Sequence, residues 1–423
     1  MTRPANWNDY RWQLRNAAHT TKEIAAHFPG LPVGQLNALR EYQQRYRFNL
    51  TPYLLDQLQL DEKGIPAYPC PFNELFLPNP DVQLKTGDAS YDPSLMNWEM
   101  PEELVIPGSA AFHWKYTDRL LYRATGCMSI CSYCFEAHRV VDKETQKHPK
   151  KTDWELGMDF LRNHPHIREF VFSGGDPLLA PDDLLEERLK DLRSIPSIET
   201  IRFNSAVLMH CPMRVTPKLV ELFKQYEVTS IGIHIVHPRQ LKSEESHNAL
   251  QLLDRCGVIK LAQVPLLAGV NDSPAVMRQL LHELEYRHVK AYYLLHGMPW
   301  TLGATQFRTS VYQGVELMRP MHRHLSNVAF PEYIIVARGG KKNVPFERND
   351  FWLHKSQVQK TVWAVDDMQP MLADFALEGR GDLLKFNGTP EFIYSSYQKK
   401  PVIVFLNWKN QWEMYLDGAQ AQA

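Results

Sequence analysis

The chain has 423 residues, 44% hydrophobic and 22% charged, with a formal net charge of -1 at pH 7. That composition belongs to a globular protein with a real core, and the even charge balance excludes the basic face of a nucleic-acid binder. No apolar run approaches the ~20 residues needed to span a bilayer. The opening MTRPANWNDYRWQL lacks the apolar stretch of a secretory signal, so the expected location is cytoplasmic. Disulfides are rare there, and clustered cysteines more often bind metal or do redox work.

Residues 1–110 carry helical patterns joined by Pro-rich connections. QLNALREYQQRYRF (35–48) places apolar side chains at helical spacing, whereas YPCPFNELFLPNPDV (68–82) reads as irregular chain because its four prolines break regular structure. From about residue 117, short apolar runs alternate with amphipathic stretches. Strands are expected at 119–124, 168–173, 199–204, 229–235, 258–265, 290–295 and 332–336. Helical patterns lie between them, including 152–164, 216–226 and 243–257. The last opens on Ser243 and closes on Gly257, as cap chemistry requires.

This alternation predicts a parallel sheet. Six such units and a seventh strand are too few to close an eight-fold barrel. The expected fold class is therefore α/β, a partial (β/α)6 barrel over 111–344. An N-terminal helical region (1–110) precedes it and a C-terminal α+β extension (345–423) follows. In that extension KTVWAVD (360–366) and KPVIVFLNW (400–408) read as strands.

In parallel α/β architectures the functional loops follow the carboxyl ends of strands. The unusual residues fall there. TGCMSICSYCFEAH (125–138) follows the first strand and SGGDP (173–177) the second. HIVHP (234–238) ends the fourth, Gln263 lies near the end of the fifth, HGMPW (296–300) follows the sixth and ARGGKK (337–342) the seventh. One mouth should gather them all.

Three of the six cysteines, Cys127, Cys131 and Cys134, crowd into eight positions. Cys70, Cys211 and Cys256 are isolated and read as small buried apolar side chains. A structural zinc site could add His138 as a fourth ligand. Such sites usually carry tight cysteine pairs and staple a small domain, which a chain with this core does not need. Iron–sulfur clusters are normally held by four thiolates. Three thiolates from one loop leave one iron of a [4Fe–4S] cluster open, and the missing ligand is then the functional position.

The spacing C-x3-C-x2-C, with SGGDP one strand later, resembles the radical S-adenosylmethionine (radical SAM) enzymes. In that superfamily SAM chelates the open iron, and its reductive cleavage yields a 5′-deoxyadenosyl radical that takes a substrate hydrogen. The resemblance implies that Cys127, Cys131 and Cys134 hold the cluster. It implies SAM contacts at Tyr133, Phe135, Ser173, Gly174, Gly175, Asp176 and His234, and an external electron donor such as flavodoxin or ferredoxin. Without the cysteines, Gly174 to Pro177 would read as an ordinary turn.

Further segments narrow the resemblance. WNDYRWQLRN, TDRLLYRATGCMSIC, FVFSGGDPLL, RVTPKLVELFKQY, HPRQL, LLAGVND, QFRTSV and ARGGKK, spread over residues 7–345, are similar to lysine 2,3-aminomutase and its relatives. That family moves an α-amino group to the β-carbon, using SAM for the radical and pyridoxal 5′-phosphate (PLP) to carry the nitrogen. The resemblance implies a PLP lysine after the Gly-rich turn, Lys342 or its neighbour Lys341. It implies phosphate contacts at Lys115, Tyr116, Arg119 and Gln263.

Other positions depart from the family. Glu136 stands where the family has an arginine that grips the substrate carboxylate, and a carboxylate there would attract a cation instead. The two aspartates for a distal amine are missing, near Gly297 or Met298 and at Val336. No cysteine follows Cys256, and Ser273 replaces a ligand of the family's interface zinc site. The resemblance thus implies an aminomutase-type isomerase acting on a small-molecule amino acid or derivative other than lysine. Candidate substrate contacts are Glu136, His138, His296, Met298, Trp300 and Arg338, the last as a relocated anion clamp. A homo-oligomer is open. The rivals are a radical SAM enzyme without PLP and a zinc-binding protein without catalysis.

Overall fold

The computed structural model describes residues 3–77, 91, 106–146, 148–298, 301–309, 311–337, 340–343 and five strands beyond residue 357. All seven expected barrel strands form: β2 (Arg119–Ala124), β3 (Glu169–Gly174), β4 (Thr200–Ser205), β5 (Ser230–His234), β6 (Ile259–Pro265), β7 (Lys290–Leu295) and β8 (Glu332–Ala337). They lie side by side in chain order and run parallel, the open sheet of a partial barrel.

Two edge strands were not foreseen. β1 (Phe112–Tyr116) pairs antiparallel with β2, and β9 (Gly340–Asn343) pairs antiparallel with β8. Residues 340–342 of the GGKK segment are thus strand rather than loop, with Val336 opposite Lys341 and Ile335 opposite Lys342. Glycine and lysine are poor strand formers, and here the free edge of β8 supplies the partner.

Beyond the barrel, β10 (Val358–Trp363), β11 (Leu384–Phe386), β12 (Thr389–Ser395), β13 (Val402–Leu406) and β14 (Trp412–Asp417) form a second sheet. Its order is β10-β14-β13-β12-β11 and every pairing is antiparallel. Only β10 and β13 were legible in the sequence.

Caps start the helices between the strands. Thr216, Ser243 and Ser273 each accept a backbone N–H at the start of Pro217–Gln225, Glu244–Asp254 and Pro274–Tyr286. Ser273, at the position of a family zinc ligand, is therefore a helix cap. No described helix is long and apolar enough to cross a membrane. Cys70 and Cys211 are buried as expected, but Cys256 is only partly so.

Parallel strands bury both faces, and an aromatic layer fills the barrel's outer side. Phe172 stacks on Phe203 at 4.3 Å, with Tyr122, Trp154, Phe170 and Phe223 around them. One cluster of buried apolar side chains runs from Trp7 to Tyr333, so the N-terminal helices share the barrel's core.

Arg214 locks the loops at the mouth. It is fully buried, donates from Nε to Leu178 O (2.7 Å) and from a terminal nitrogen to Ala180 O (3.0 Å), and pairs with Asp182 at 2.8 Å. Tyr10 of the first helix, Tyr10–Arg15, covers its guanidinium at 4.8 Å. Removing one partner of a buried ion pair strands the other charge, at a cost of ~3–5 kcal/mol. Arg214→Met should lower apo-protein stability by about that much in chemical denaturation.

Candidate active site

A cavity of about 330 Å³ opens at the carboxyl ends of the strands, and the cysteine loop, the SGGDP loop, His234, Gln263, His296 and Lys341 all line it. The loops expected at one mouth do converge.

The N-terminal region holds the cysteine loop by its backbone. The Asn49 amide donates to Cys127 O (3.2 Å) and Met128 O (2.8 Å), and Ile130 N donates to Asn49 O at 2.9 Å. Ser132 N donates to Leu75 O at 2.8 Å. All three cysteines line the cavity. Burial pushes the Cys131 thiol up to about 12 and those of Cys127 and Cys134 well above their ordinary range. A metal cation held there would stabilise the thiolates. Among the described residues no three His, Cys, Asp or Glu side chains gather around one point as a single ion needs. His138, the fourth ligand of a zinc reading, turns to Arg123 at 3.5 Å.

The SGGDP loop is pressed against the cysteine loop. Gly175 N donates to Ala124 O (2.6 Å) and Asp176 N to Gly126 O (2.7 Å). A Cβ on Gly174, whose φ is 91°, or on Gly175 would collide with those same backbone segments. Asp176 lines the cavity. Its carboxylate accepts from Ser205 Oγ (2.8 and 3.0 Å), Ala206 N (3.0 Å) and Leu178 N (3.0 Å). It braces the loop after β3 to the loop after β4. Ser173 Oγ accepts from Asn204 at 3.4 Å. Tyr133 packs edge-on to Phe307 at 6.1 Å, and Phe135 lines the cavity beside it.

Sequence reasoning missed Asn204, Arg202 and Tyr293. The Gln263 amide donates to Asn204 Oδ1 at 3.0 Å and also meets His234, whose imidazole burial holds down near 4. A Cβ on Gly232 would collide with Asn204 and crowd Gln263 at 2.7 Å. A glycine in mid-strand marks such a close approach and was the available signal.

Cationic side chains line the same cavity. Arg119 Nε lies 3.3 Å and Arg202 2.7 Å from the same Glu169, and Arg119 sits over the Tyr116 ring at 4.7 Å. Lys341 N donates to Tyr116 Oη at 3.4 Å, and its Nζ lies 4.4 Å over Tyr293. The side chains of Lys115 and Lys342, and residues Trp300 and Arg338, lie outside the described residues.

Glu136, which also lines the cavity, is paired within the protein. Its carboxylate accepts from Arg123 and lies 3.8 Å from Arg139 Nε; His138 meets the same Arg123 nitrogen at 3.5 Å, and His113 meets the other terminal one. Burial pushes the Glu136 carboxyl up, but Arg123, His138 and Arg139 pull it down further, so it stays ionised. Its charge is paired inside the protein with Arg123 and Arg139. In the same cavity Met298 is buried, and His296 Nδ1 lies 2.9 Å from Tyr333 Oη. Burial and the nearby Arg308 keep the His296 imidazole neutral.

The Radical SAM superfamily profile matches residues 121–276. The L-lysine 2,3-aminomutase of Clostridium subterminale is 31% identical over 346 residues, 82% of this chain and 79% of that protein. The L-lysine 2,3-aminomutase of Methanococcus maripaludis is 32% identical over 351 residues, 81% of this chain and 76% of that one. The chain belongs to the lysine 2,3-aminomutase family of radical SAM enzymes. A glutamate 2,3-aminomutase from Clostridioides difficile is similarly related, 30% identical over 340 residues, 80% of this chain and 76% of that protein. The chain is thus a radical SAM enzyme related to isomerases, and membership implies a [4Fe–4S] cluster and SAM.

Glu136→Gln should strand Arg123 and Arg139, costing ~3 kcal/mol or more at neutral pH. Because Glu136 is held below its ordinary 4.5, its contribution is present above that value and lost as pH falls through the folded one. The difference in denaturation midpoint between wild type and Glu136→Gln should therefore shrink below pH 4.5.

Proposed function

We propose that the enzyme catalyses a 1,2-amino shift with PLP, on an amino acid or derivative that carries no second amine. The observation that carries the substrate side of this reading is the charge of the cavity wall. Among its described lining residues Arg119, Arg123, Arg202, Arg308 and Lys341 are cationic, and Glu136 and Asp176 are the carboxylates. Glu136 is taken by Arg123, and Asp176 by Ser205, Ala206 and Leu178. No described carboxylate on the wall is left for a distal ammonium, which would cost heavily to bury unpaired. A carboxylate or neutral polar side chain suits this wall. The relative named as a glutamate 2,3-aminomutase supports a family scaffold that serves more than one amino acid.

The donor set suits PLP. Arg119 and Arg202, beside Tyr116, offer charge-assisted hydrogen bonds to a phosphate. Gln263 adds a neutral contact on the same wall. Lys341 brings an amine into the cavity over the face of Tyr293, and this supports Lys341 as the attachment lysine in place of Lys342. Bound there, PLP would supply an electron sink next to the migrating nitrogen. The chain's own groups would hold it: Arg119 and Arg202 for the phosphate, Lys341 for the aldehyde carbon, with His234 and Gln263 lining the same cavity. A three-thiol loop with only isolated cysteines elsewhere leaves the electron to an external donor such as flavodoxin or ferredoxin.

Glu169 favours a second reading. It already occupies both Arg119 and Arg202, as suits radical SAM chemistry without PLP. Borohydride treatment of the anaerobically reconstituted enzyme with PLP separates the two. We expect PLP fixed to the peptide bearing Lys341, and at least a ~10-fold loss of fixation in Lys341→Ala with uncoupled deoxyadenosine release retained. Release of deoxyadenosine with no fixed PLP would favour the second reading. In a screen of amino acids labelled with nitrogen-15 at C2, label migration from lysine should run at least ~100-fold below the best acidic or neutral substrate, about 3 kcal/mol for a stranded ammonium. Lysine as the best substrate would contradict the charge argument.

A further inference from the structure

One polar neighbour of the cysteine loop has no part in the reading above. His210 ends the short helix Val207–His210 that follows β4, and its Nε2 lies 3.3 Å from Cys131 Sγ. The side chain is 1% exposed, Phe76 packs edge-on to its ring at 6.3 Å, and Thr51 Oγ1 donates to its carbonyl. The N-terminal region thus fixes the ring as it fixes the cysteine loop. Nδ1 is buried and has no hydrogen-bond partner among the described residues. Tyr133 also approaches Cys131.

The tautomer follows from what the sulfur becomes. A free thiol could donate to the imidazole. An iron-bound thiolate has no proton and can only accept. The proton of the contact must then sit on Nε2, which leaves Nδ1 as a bare acceptor. That is the cheaper atom to leave unpaired, because an orphaned buried N–H is the rarer and costlier state. A hydrogen bond to a cluster sulfur withdraws charge from it and stabilises the reduced cluster, which raises the reduction potential.

We propose that His210 is a positioning residue that donates Nε2–H to the cluster-bound Cys131 sulfur and sets the potential at which the cluster takes up its electron. The proposal rests on the radical SAM cluster alone and is independent of PLP and of the substrate.

The test is a redox titration of the reconstituted full chain, followed by the EPR signal of the reduced cluster. Three proteins are compared at matched iron content: wild type, His210→Phe, which keeps a ring without a donor, and His210→Gln, which keeps a donor. We expect the midpoint potential of His210→Phe to shift to a more negative value, with His210→Gln lying between it and wild type. Equal potentials for wild type and His210→Phe would overturn the proposal. Pulsed EPR of the wild-type reduced cluster, with nitrogen-15 histidine incorporated, needs no variant to hold iron. A weak nitrogen coupling is expected. No coupling, or the strong coupling of an iron-bound nitrogen, would overturn it.

Discussion

The site depends on the backbone seating of the SGGDP loop on the cysteine loop. Gly175 N reaches Ala124 O and Asp176 N reaches Gly126 O, and neither approach survives a Cβ at Gly174 or Gly175. That contact puts the strand that begins the SAM region against the loop that carries the thiols. Asp176 then ties the pair to Ser205 and Ala206 after β4, and Arg214 ties it to Leu178, Ala180 and the first helix. Asn49 and Leu75 grip the cysteine loop from the other side. The N-terminal helices are therefore part of the apparatus that holds the cluster loop in place.

Charge organises the rest of the cavity wall. Guanidinium groups that leave water need partners, and the chain supplies them from within: Glu136 for Arg123 and Arg139, Glu169 for Arg202, and Glu169 with Asp118 for Arg119. Arg123 in β2 keeps the charge of Glu136 paired.

Much of the fold was legible in the sequence. The seven parallel strands are short runs of Leu, Ile, Val, Phe and Tyr between capped helices, so composition and caps mark them together. β1, FHWKY, and β9, GKKN, carry no such run and depend on a neighbour's edge. β11 has three residues and β12 opens on Thr-Pro, which hid both. At the site the cysteine spacing was decisive because three thiols in one loop have few uses. The partners of the carboxylates were not legible, because a sequence shows a charge and not what it meets: Ser205 and Ala206 donate to Asp176, and Arg123 donates to Glu136. Asn204 and Arg202 sit on a strand whose alternation gives no hint of function, and Gly232 on the next strand was the sole clue.

The central claim is that this loop builds a SAM-cleaving cluster. Its most direct test is 5′-deoxyadenosine formation from SAM and dithionite by the anaerobically reconstituted chain, beside Cys131→Ala. The account predicts about four irons and sulfides per chain, with deoxyadenosine released by the wild type and none by Cys131→Ala. A chain that takes up zinc in place of iron, or holds the cluster yet releases no deoxyadenosine, would contradict it.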